Sequence, residues 1–488
     1  MITVGRSPNL LATQPHRWSA LAVLLTGAFM ALLDTTIVNV ALPSIRTSLA
    51  ASNATLSWIV SGYALAFGLA LIPAGRLGDR IGHKWVFIVG LGLFTLASAA
   101  CGLADGDGAL IAARAIQGLG GGIFFTPITA LIQLMFTERE RGRAFAILGA
   151  TIGVSTALGP LVGGLILEVF GAEDGWRLVF GVNIPIGLIA MIAAVRLLPA
   201  RTLQSDTSTD WPGVALLSTA LVAILFPVIE GQQAGWPWWT YMSLTAGLLL
   251  LVLFAGWELH VENNGGHPLV LPRLFAHPAF TGGVLLALVY FAAFTSIFFT
   301  IALLWQVGLG HSPLQSGLVA MPFAVGSIIG AAQSDTMAAR FGRVVCNAGL
   351  GLVAVGITAL CLVLWVVSPA SYTGWLLCVP LLIAGVGSGL FIAPNTDFIV
   401  ATVRPDEAGA ASGVIGTTQR VGSATGIAVI GTVLFSTLHV AHVPGGLARA
   451  FGHSAALATT VSAGLSIAAF ALGFLLPQRV SFPGSPTR

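Results

Sequence analysis

A chain whose apolar residues come in runs of about twenty, repeated from end to end, has few folds open to it. A bilayer core about 30 Å thick is crossed by about twenty residues of helix. In hydrocarbon every backbone N–H and C=O must be paired within the protein, which leaves helices or closed barrels. The runs here are continuously apolar rather than alternating, so they read as helices. The first six fall at about Trp18–Ala41, Leu56–Ile72, Trp85–Leu103, Ala109–Met135, Ala144–Phe170 and Leu178–Leu198. Two more follow, Val214–Ile229 and Trp238–Trp257, the first of them short. The last six are Phe280–Val307, Pro313–Ala332, Val344–Val367, Trp375–Val400, Ala408–Leu438 and Ala455–Leu476, fourteen spans in all.

The scarcity of charge agrees. Only 8% of the 488 residues are charged, and mean hydropathy is +0.92. Soluble domains carry about 25% charge, so this chain is solvated by lipid. Its net charge of +3, with no basic run, gives nucleic acid nothing to bind. The one lysine, Lys84, follows Gly82-His83, and the Gly-x-x-x-x-Gly-Lys-Ser/Thr loop that cradles nucleotide phosphates is missing. An ATP motor within this chain is thereby excluded, so the energy is expected from an ion gradient or a partner, with no cofactor. Cys101, Cys346, Cys361 and Cys378 lie in or beside apolar stretches and read as small core residues. His439 and His442 have no carboxylate or thiol beside them, so no metal site is expected. Arg6 and Arg17 precede an apolar run, as in a signal peptide. That run is too long, contains Asp34 and lacks a small-residue cleavage site, so it reads as a retained first span.

With fourteen spans both termini fall on one side. Sixteen of the 21 basic residues lie in segments on that side, against three (Arg46, Arg177 and Arg449) opposite. The excess of arginine on cytoplasmic loops then puts both termini in the cytoplasm and the chain in the inner membrane. Polar linkers at Pro199–Asp210 and His260–Pro278 divide the chain into a six-helix unit (17–200), two further helices (211–259) and a second six-helix unit (278–477). An internal echo supports that division. Gly75-Arg-Leu-Gly-Asp79-Arg80-Ile-Gly82-His83-Lys84 follows the second span, and Ala339-Arg340-Phe341-Gly342-Arg343 follows the tenth, aligned on Arg-x-Gly. Transporters are commonly built from repeated halves with the substrate between them.

At these residues the chain resembles the major facilitator superfamily, in its fourteen-span drug:proton antiporter branch. Leu33-Asp34-Thr-Thr-Ile-Val-Asn39-Val-Ala-Leu-Pro43 is similar to that branch's first-helix signature, and Gly75 to Lys84 to the superfamily's cytoplasmic loop. Arg114-Ala-Ile-Gln117-Gly118-Leu-Gly120 resembles the fourth-helix motif, and Gly159-Pro160-Leu-Val-Gly163-Gly164 the antiporter motif. Trp176-Arg177, Phe180 and Asn183-Ile-Pro185-Ile-Gly187 resemble the entry to helix six. Ser155 stands where the antiporter motif usually has a further glycine, and Gly78 replaces a more usual alanine, a change without expected consequence. The resemblance implies an all-helical membrane fold of two six-helix bundles plus two inserted helices. It implies transport rather than enzyme chemistry: export of small hydrophobic or cationic organic compounds in exchange for protons. A dedicated exporter of one metabolite or lipid is the alternative.

Asp34 is the most informative residue. A mid-span carboxylate is expensive in hydrocarbon. It must face a cavity, pair with a cation or carry a proton, and cycling among those states is what proton coupling requires. A structural hydrogen bond to a neighbouring helix is the competing reading. Arg114 is the natural partner: at 1.5 Å rise per residue both groups fall in the outer half of the bilayer, and the resemblance assigns this arginine to coupling. The resemblance also implies a conformational latch of Gly75, Asp79, Arg80, Gly82 and Lys84, against a plain solvated loop. It implies a seal at Gly159, Pro160, Gly163 and Gly164, where small residues admit close helix contact and proline bends the helix. A packing motif explains the same residues. Gln419 and Arg420, about 18 Å into the thirteenth span, are candidates to face the cavity or to pair between helices. Phe291, Phe294 and Phe298 form a stripe that lines a drug pocket or simply packs. Asn39, Tyr63, Gln117 and Gln133 are candidate polar contacts to a ligand. Asp397 and Glu230 lie near span ends and are expected to be solvated. Membrane enzymes gather catalytic histidines or acids at one face and sensors append soluble domains; neither pattern is present.

Overall fold

The computed structural model describes residues 16–171, 173–200, 210–400, 403, 408–439 and 445–475. The 201–209 part of the first polar linker, His442, and the side chains of Asp79 and Asp397 lie outside the described residues. Every regular element among them is helical. In chain order they are α1 (Arg17–Leu49), α2 (Asn53–Ile81), α3 (His83–Gly102), α4 (Asp107–Met135), α5 (Glu138–Phe170), α6 (Gly175–Gly181), α7 (Asn183–Leu197), α8 (Trp211–Ala234) and α9 (Trp238–Asn263). Then come α10 (Pro278–Leu303), α11 (Pro313–Phe341), α12 (Val344–Val366), α13 (Gly374–Val400), α14 (Ala408–Ser436) and α15 (Gly446–Leu475). The short α6 and α7 meet at Val182 and run as one apolar span, Gly175–Leu197.

Thirteen spans among the described residues are long and apolar enough to cross a bilayer. The helix that falls short is α14. It has 29 residues, but Gln419-Arg420 stands in its middle among serines, threonines and glycines. It packs along α10 and α2 rather than standing outside the bundle. The seventh span is longer than the sequence pattern suggests: α8 runs 24 residues, Trp211–Ala234, because the helix continues beyond the apolar run through the polar stretch of Glu230, Gln232 and Gln233.

Helix pairings repeat. α1 packs on α5, α4 on α2 and α3, and α7 on α3; in the same relation α10 packs on α14, α13 on α11 and α12, and α15 on α12. The Arg-x-Gly echo has a local cause as well. α2 ends at Gly82 (φ 100°) and α11 at Gly342 (φ 59°), a backbone region where a side chain is strained. The two sets of helices meet along two seams, α5 against α11 and α2 against α14. The α8–α9 hairpin lies against the second seam. Leu221, Leu225 and Ile229 of α8 share one apolar cluster with Ala64 and Leu65 of α2 and Ala424 and Ala428 of α14. Two polar contacts tie it there: Trp58 Nε1 donates to Glu230 at 2.9 Å, and Thr432 Oγ1 to the Val228 carbonyl at 2.7 Å. Glu230 is therefore engaged by a neighbouring helix, which corrects the expectation of a merely solvated carboxylate.

Candidate functional site

Five helices converge on Asp34. Its carboxylate lies midway along α1, wholly shielded from solvent, and three side chains donate to it. Arg114 Nη1 reaches Oδ2 at 2.6 Å, while Gln117 Nε2 and Asn183 Nδ2 each reach Oδ1 at 2.9 Å. Arg114 and Gln117 are three apart on α4, hence on one face, and Arg114 Nη1 also donates to Gln117 Oε1 at 2.6 Å. Asn183 opens α7. Ser98 of α3 ties the amides together, accepting from Gln117 Nε2 at 2.5 Å and Asn183 Nδ2 at 3.1 Å.

The guanidinium is equally confined. Arg114 Nε donates to the Ile59 carbonyl of α2 at 3.1 Å, and its Cζ stands 4.0 Å from the Tyr63 ring centre and 5.6 Å from that of Phe180. Cys101 Sγ points at Gln117 Oε1, 3.6 Å away. Asp34, Arg114, Gln117 and Ser98 are all fully buried. A single ion pair is thus carried by a polar network that fills each carboxylate oxygen and fixes the arginine against two aromatic faces. Chemically, such a network has one site where a proton can replace a cation's attraction. Protonating Asp34 would turn an acceptor into a donor and leave Arg114 without its counter-charge.

Beside Asp34, α1 is pressed onto α5 by the glycines of the Gly-Pro motif. A Cβ on Gly163 would stand 2.9 Å from the Ile37 carbonyl oxygen, and one on Gly159 would overlap Thr36 Oγ1. On its other face the motif meets α11. A Cβ on Gly164 would lie 2.7 Å from Leu314 Cα, and Gly317 closes onto the Pro160 carbonyl. The motif thereby sits between the helix that carries Asp34 and the opposite set of helices. A second cross-contact lies nearby, where a π-helical turn at Leu304–Gly308 lets Gln306 Nε2 donate to the Val40 carbonyl at 2.9 Å.

Elsewhere the sequence candidates separate. Lys84 Nζ donates to the Val195 carbonyl of α7 at 2.7 Å, and Arg76 donates to the carbonyls of His267 and Pro268 in the segment after α9. Arg80 is exposed. Gly75 faces Thr126 of α4. Gly78 is not a neutral replacement: the buried His83 ring occupies the place its Cβ would take. Phe294 stacks on Phe323 of α11 with centres 5.1 Å apart, and Phe298 meets Phe323 edge-on. Phe291 and Phe294 also flank Tyr290, whose hydroxyl donates to Ser388 Oγ at 2.6 Å. The stripe therefore packs α10 against α11 and α13. Asn39 is buried and bonds to its own helix at the Thr35 carbonyl. Gln133 is exposed near the end of α4. Gln419 is partly exposed, and Arg420 is turned onto Phe67.

Ser98 and Asn183 are the members that the sequence pattern left unassigned. A serine is unremarked in an apolar span, and Asn183 stood only as part of a motif. The available signal was an amide within an apolar span, which must find a partner.

The family model described as Major Facilitator Superfamily matches residues 24–427. The chain is 36% identical over 439 residues to a probable actinorhodin transporter of Streptomyces coelicolor, covering 89% of this chain and 76% of that one. It is 36% identical over 419 residues to a methylenomycin A resistance protein of the same organism, covering 86% of each. The structure of an auto-inhibited peptide transporter of the POT family aligns over 96% of this chain and 99% of its own, with a TM-score of 0.67 at 14% identity, a likeness of fold alone.

Proposed function

Because the chain belongs to the major facilitator superfamily, a family of transporters and not enzymes, we propose that it is a proton-coupled antiporter exporting small organic compounds of the antibiotic class. The observation that carries the coupling is the fully buried Asp34 carboxylate, held by Arg114, Gln117 and Asn183. A carboxylate in mid-bilayer is retained for a function. Asp34 alone among the acids of the helices stands more than three turns from both ends of its helix; every other lies within two turns of an end.

In this reading the two sets of helices rock about the α5–α11 and α2–α14 seams. The Gly159–Gly164 segment meets both α1 and α11, so a shift of α11 bears on the helix that carries the carboxylate. Opening the network admits a proton to Asp34 and frees Arg114; reclosing expels it. The excess of basic residues puts the α1 N-terminus in the cytoplasm, and the seal at Pro160–Gly317 then closes the outer side. The latch of Asp79, Arg80 and Lys84 belongs to the cytoplasmic side, with Lys84 anchored within its own half. Relatives named a probable actinorhodin transporter and a methylenomycin A resistance protein support the substrate class.

The test is uptake into inverted membrane vesicles across a panel that includes both compounds, with an imposed proton gradient switched on and off. Gradient-dependent accumulation of at least one compound is expected. Accumulation that ignores the gradient for every compound refutes the reading.

A further inference from the structure

Two arginines stand deep in the helices, and they are treated differently. Arg114 has a carboxylate, an amide and a carbonyl. Arg420, twelve residues into the 29-residue α14, has no carboxylate and no hydrogen bond among the described residues; its Cζ lies 4.2 Å from the centre of the Phe67 ring. A guanidinium carries five donors and is charged under all conditions. Held in the membrane interior without a counter-charge it is costly, and the default reading of such a residue is a functional site awaiting its partner.

Its position is built. Gly68 makes room for it: a Cβ there would come within 2.8 Å of Arg420 Cβ. The seam is pinned on either side by Thr417 Oγ1 donating to the Gly68 carbonyl at 2.8 Å and Ser61 Oγ donating to the Ala424 carbonyl at 3.1 Å. Lipid is kept off by α8, which covers Val421, Ala424 and Ala428 on α14 and Ala64 and Leu65 on α2. Phe67 instead faces α4, lying against Gly121 and 5.7 Å from Phe125. Arg420 itself is partly exposed. Tyr63, one turn before Phe67 on α2, places its ring 5.9 Å from Phe67 and 4.0 Å from Arg114 Cζ. An unbroken aromatic wall thus connects the free cation to the buried ion pair.

The charges decide the ligand. The mid-bilayer carboxylate is fully buried and spoken for by Arg114, so a cationic substrate finds no open counter-charge there. An anionic one finds Arg420. We propose that Arg420 receives the acidic group of the substrate, a planar oxyanion such as a carboxylate on an apolar, aromatic body that rests against Phe67. This rests on the transport reading above but concerns binding, which is measured apart from flux.

The experiment uses purified protein in nanodiscs and matched pairs of probes: 9-anthracenecarboxylate and 2-naphthoate, each with its neutral primary amide and its aminomethyl cation. Binding is followed by fluorescence in the native protein, Arg420→Gln and Arg420→Lys, with thermal unfolding as a check that each variant is folded. Charge-assisted hydrogen bonds exceed neutral ones, so at least one acid should bind about tenfold more tightly than its amide. Arg420→Gln should erase that preference while leaving amide binding unchanged, and Arg420→Lys should retain part of it, as a point charge without the bidentate fork. Should Arg420→Gln fail to fold, a reduced preference in Arg420→Lys supports the inference and an unreduced one overturns it. No acid binding better than its amide, a preference that survives Arg420→Gln, or a cation binding as well as the acid would overturn the inference. Gradient-driven export of neutral or cationic compounds alone would leave the transport reading standing without it. An acid preference lost in Arg420→Gln, with no gradient-driven export of any compound, would do the reverse.

Discussion

Removing the Arg114 guanidinium while keeping its bulk, as in Arg114→Met, strands the Asp34 carboxylate at zero exposure with two amide donors and no cation. Breaking a buried pair from one side costs about 3–5 kcal/mol, because the remaining charge is left uncompensated. The donations to Gln117 and the Ile59 carbonyl are lost as well, but hydrogen bonds between membrane helices average only about 0.6 kcal/mol. The ion pair therefore dominates. Removing both charges, in Asp34→Leu/Arg114→Met, leaves no stranded ion, so the double variant should be at least about 2 kcal/mol less destabilised than the sum of its singles. Arg114→Lys should fall between, because an ammonium cannot reach Asp34, Gln117 and the Ile59 carbonyl at once. The measurement is denaturant unfolding in mixed micelles, followed by circular dichroism. A cost below 1 kcal/mol for Arg114→Met, or strict additivity in the double variant, would refute the claim that the network is organised by one ion pair.

Three further outcomes follow from single contacts. Gly164→Val drives a side chain into Leu314, 2.7 Å from the position of its Cβ; overpacking of about 1–3 kcal/mol should loosen the α5–α11 seam. In a cysteine-free background, a cysteine at Leu161 should then react faster with maleimide, and an unchanged rate contradicts the seal. Asn183→Leu removes one of two donors to Asp34 Oδ1. At about 1.5–3 kcal/mol for a hydrogen bond to a charged group, gradient-driven flux should drop roughly tenfold with the protein still folded; unaltered flux would make Asn183 a packing residue only. Tyr290→Phe loses the bond to Ser388 but keeps the ring among Phe291, Phe294 and Phe391. It should cost about 1 kcal/mol and leave substrate range unchanged, and a shifted range would return this stripe to the cavity.

How far the sequence reaches is visible at particular residues. Apolar run length located the spans because lipid permits little else. It stops short on α8, whose helix runs past Ile229 through Glu230, Gln232 and Gln233, residues too polar to extend an apolar run. Asp34 and Arg114 pair in the sequence by their depth and by the family resemblance, and the fold joins them directly. Gln117 stands in the sequence as part of the fourth-helix motif and as a candidate ligand contact, whereas in the fold it bonds the ion pair. Asn183 and Ser98 reach Asp34 from helices far apart in sequence, and no local pattern encodes that meeting. The phenylalanine stripe on α10 has the same periodicity whether it faces a ligand or another helix, and only Phe323 decides. Gly78 reads as interchangeable with alanine in the sequence, but in the fold the His83 ring fills the space a Cβ would need. The location of α8 against the α2–α14 seam has no counterpart in the hydropathy pattern.

The most direct test of the coupling reading is counter-transport in sealed proteoliposomes, with a pH-sensitive dye trapped inside and a substrate found in the vesicle panel added outside. Native protein should move protons only when substrate moves the other way, and an imposed ΔpH should drive substrate uphill. Asp34→Asn should still exchange labelled for unlabelled substrate across equal pH while losing both proton movement and uphill flux. Full proton-linked uphill transport by Asp34→Asn, or native flux indifferent to ΔpH and voltage, would contradict the account.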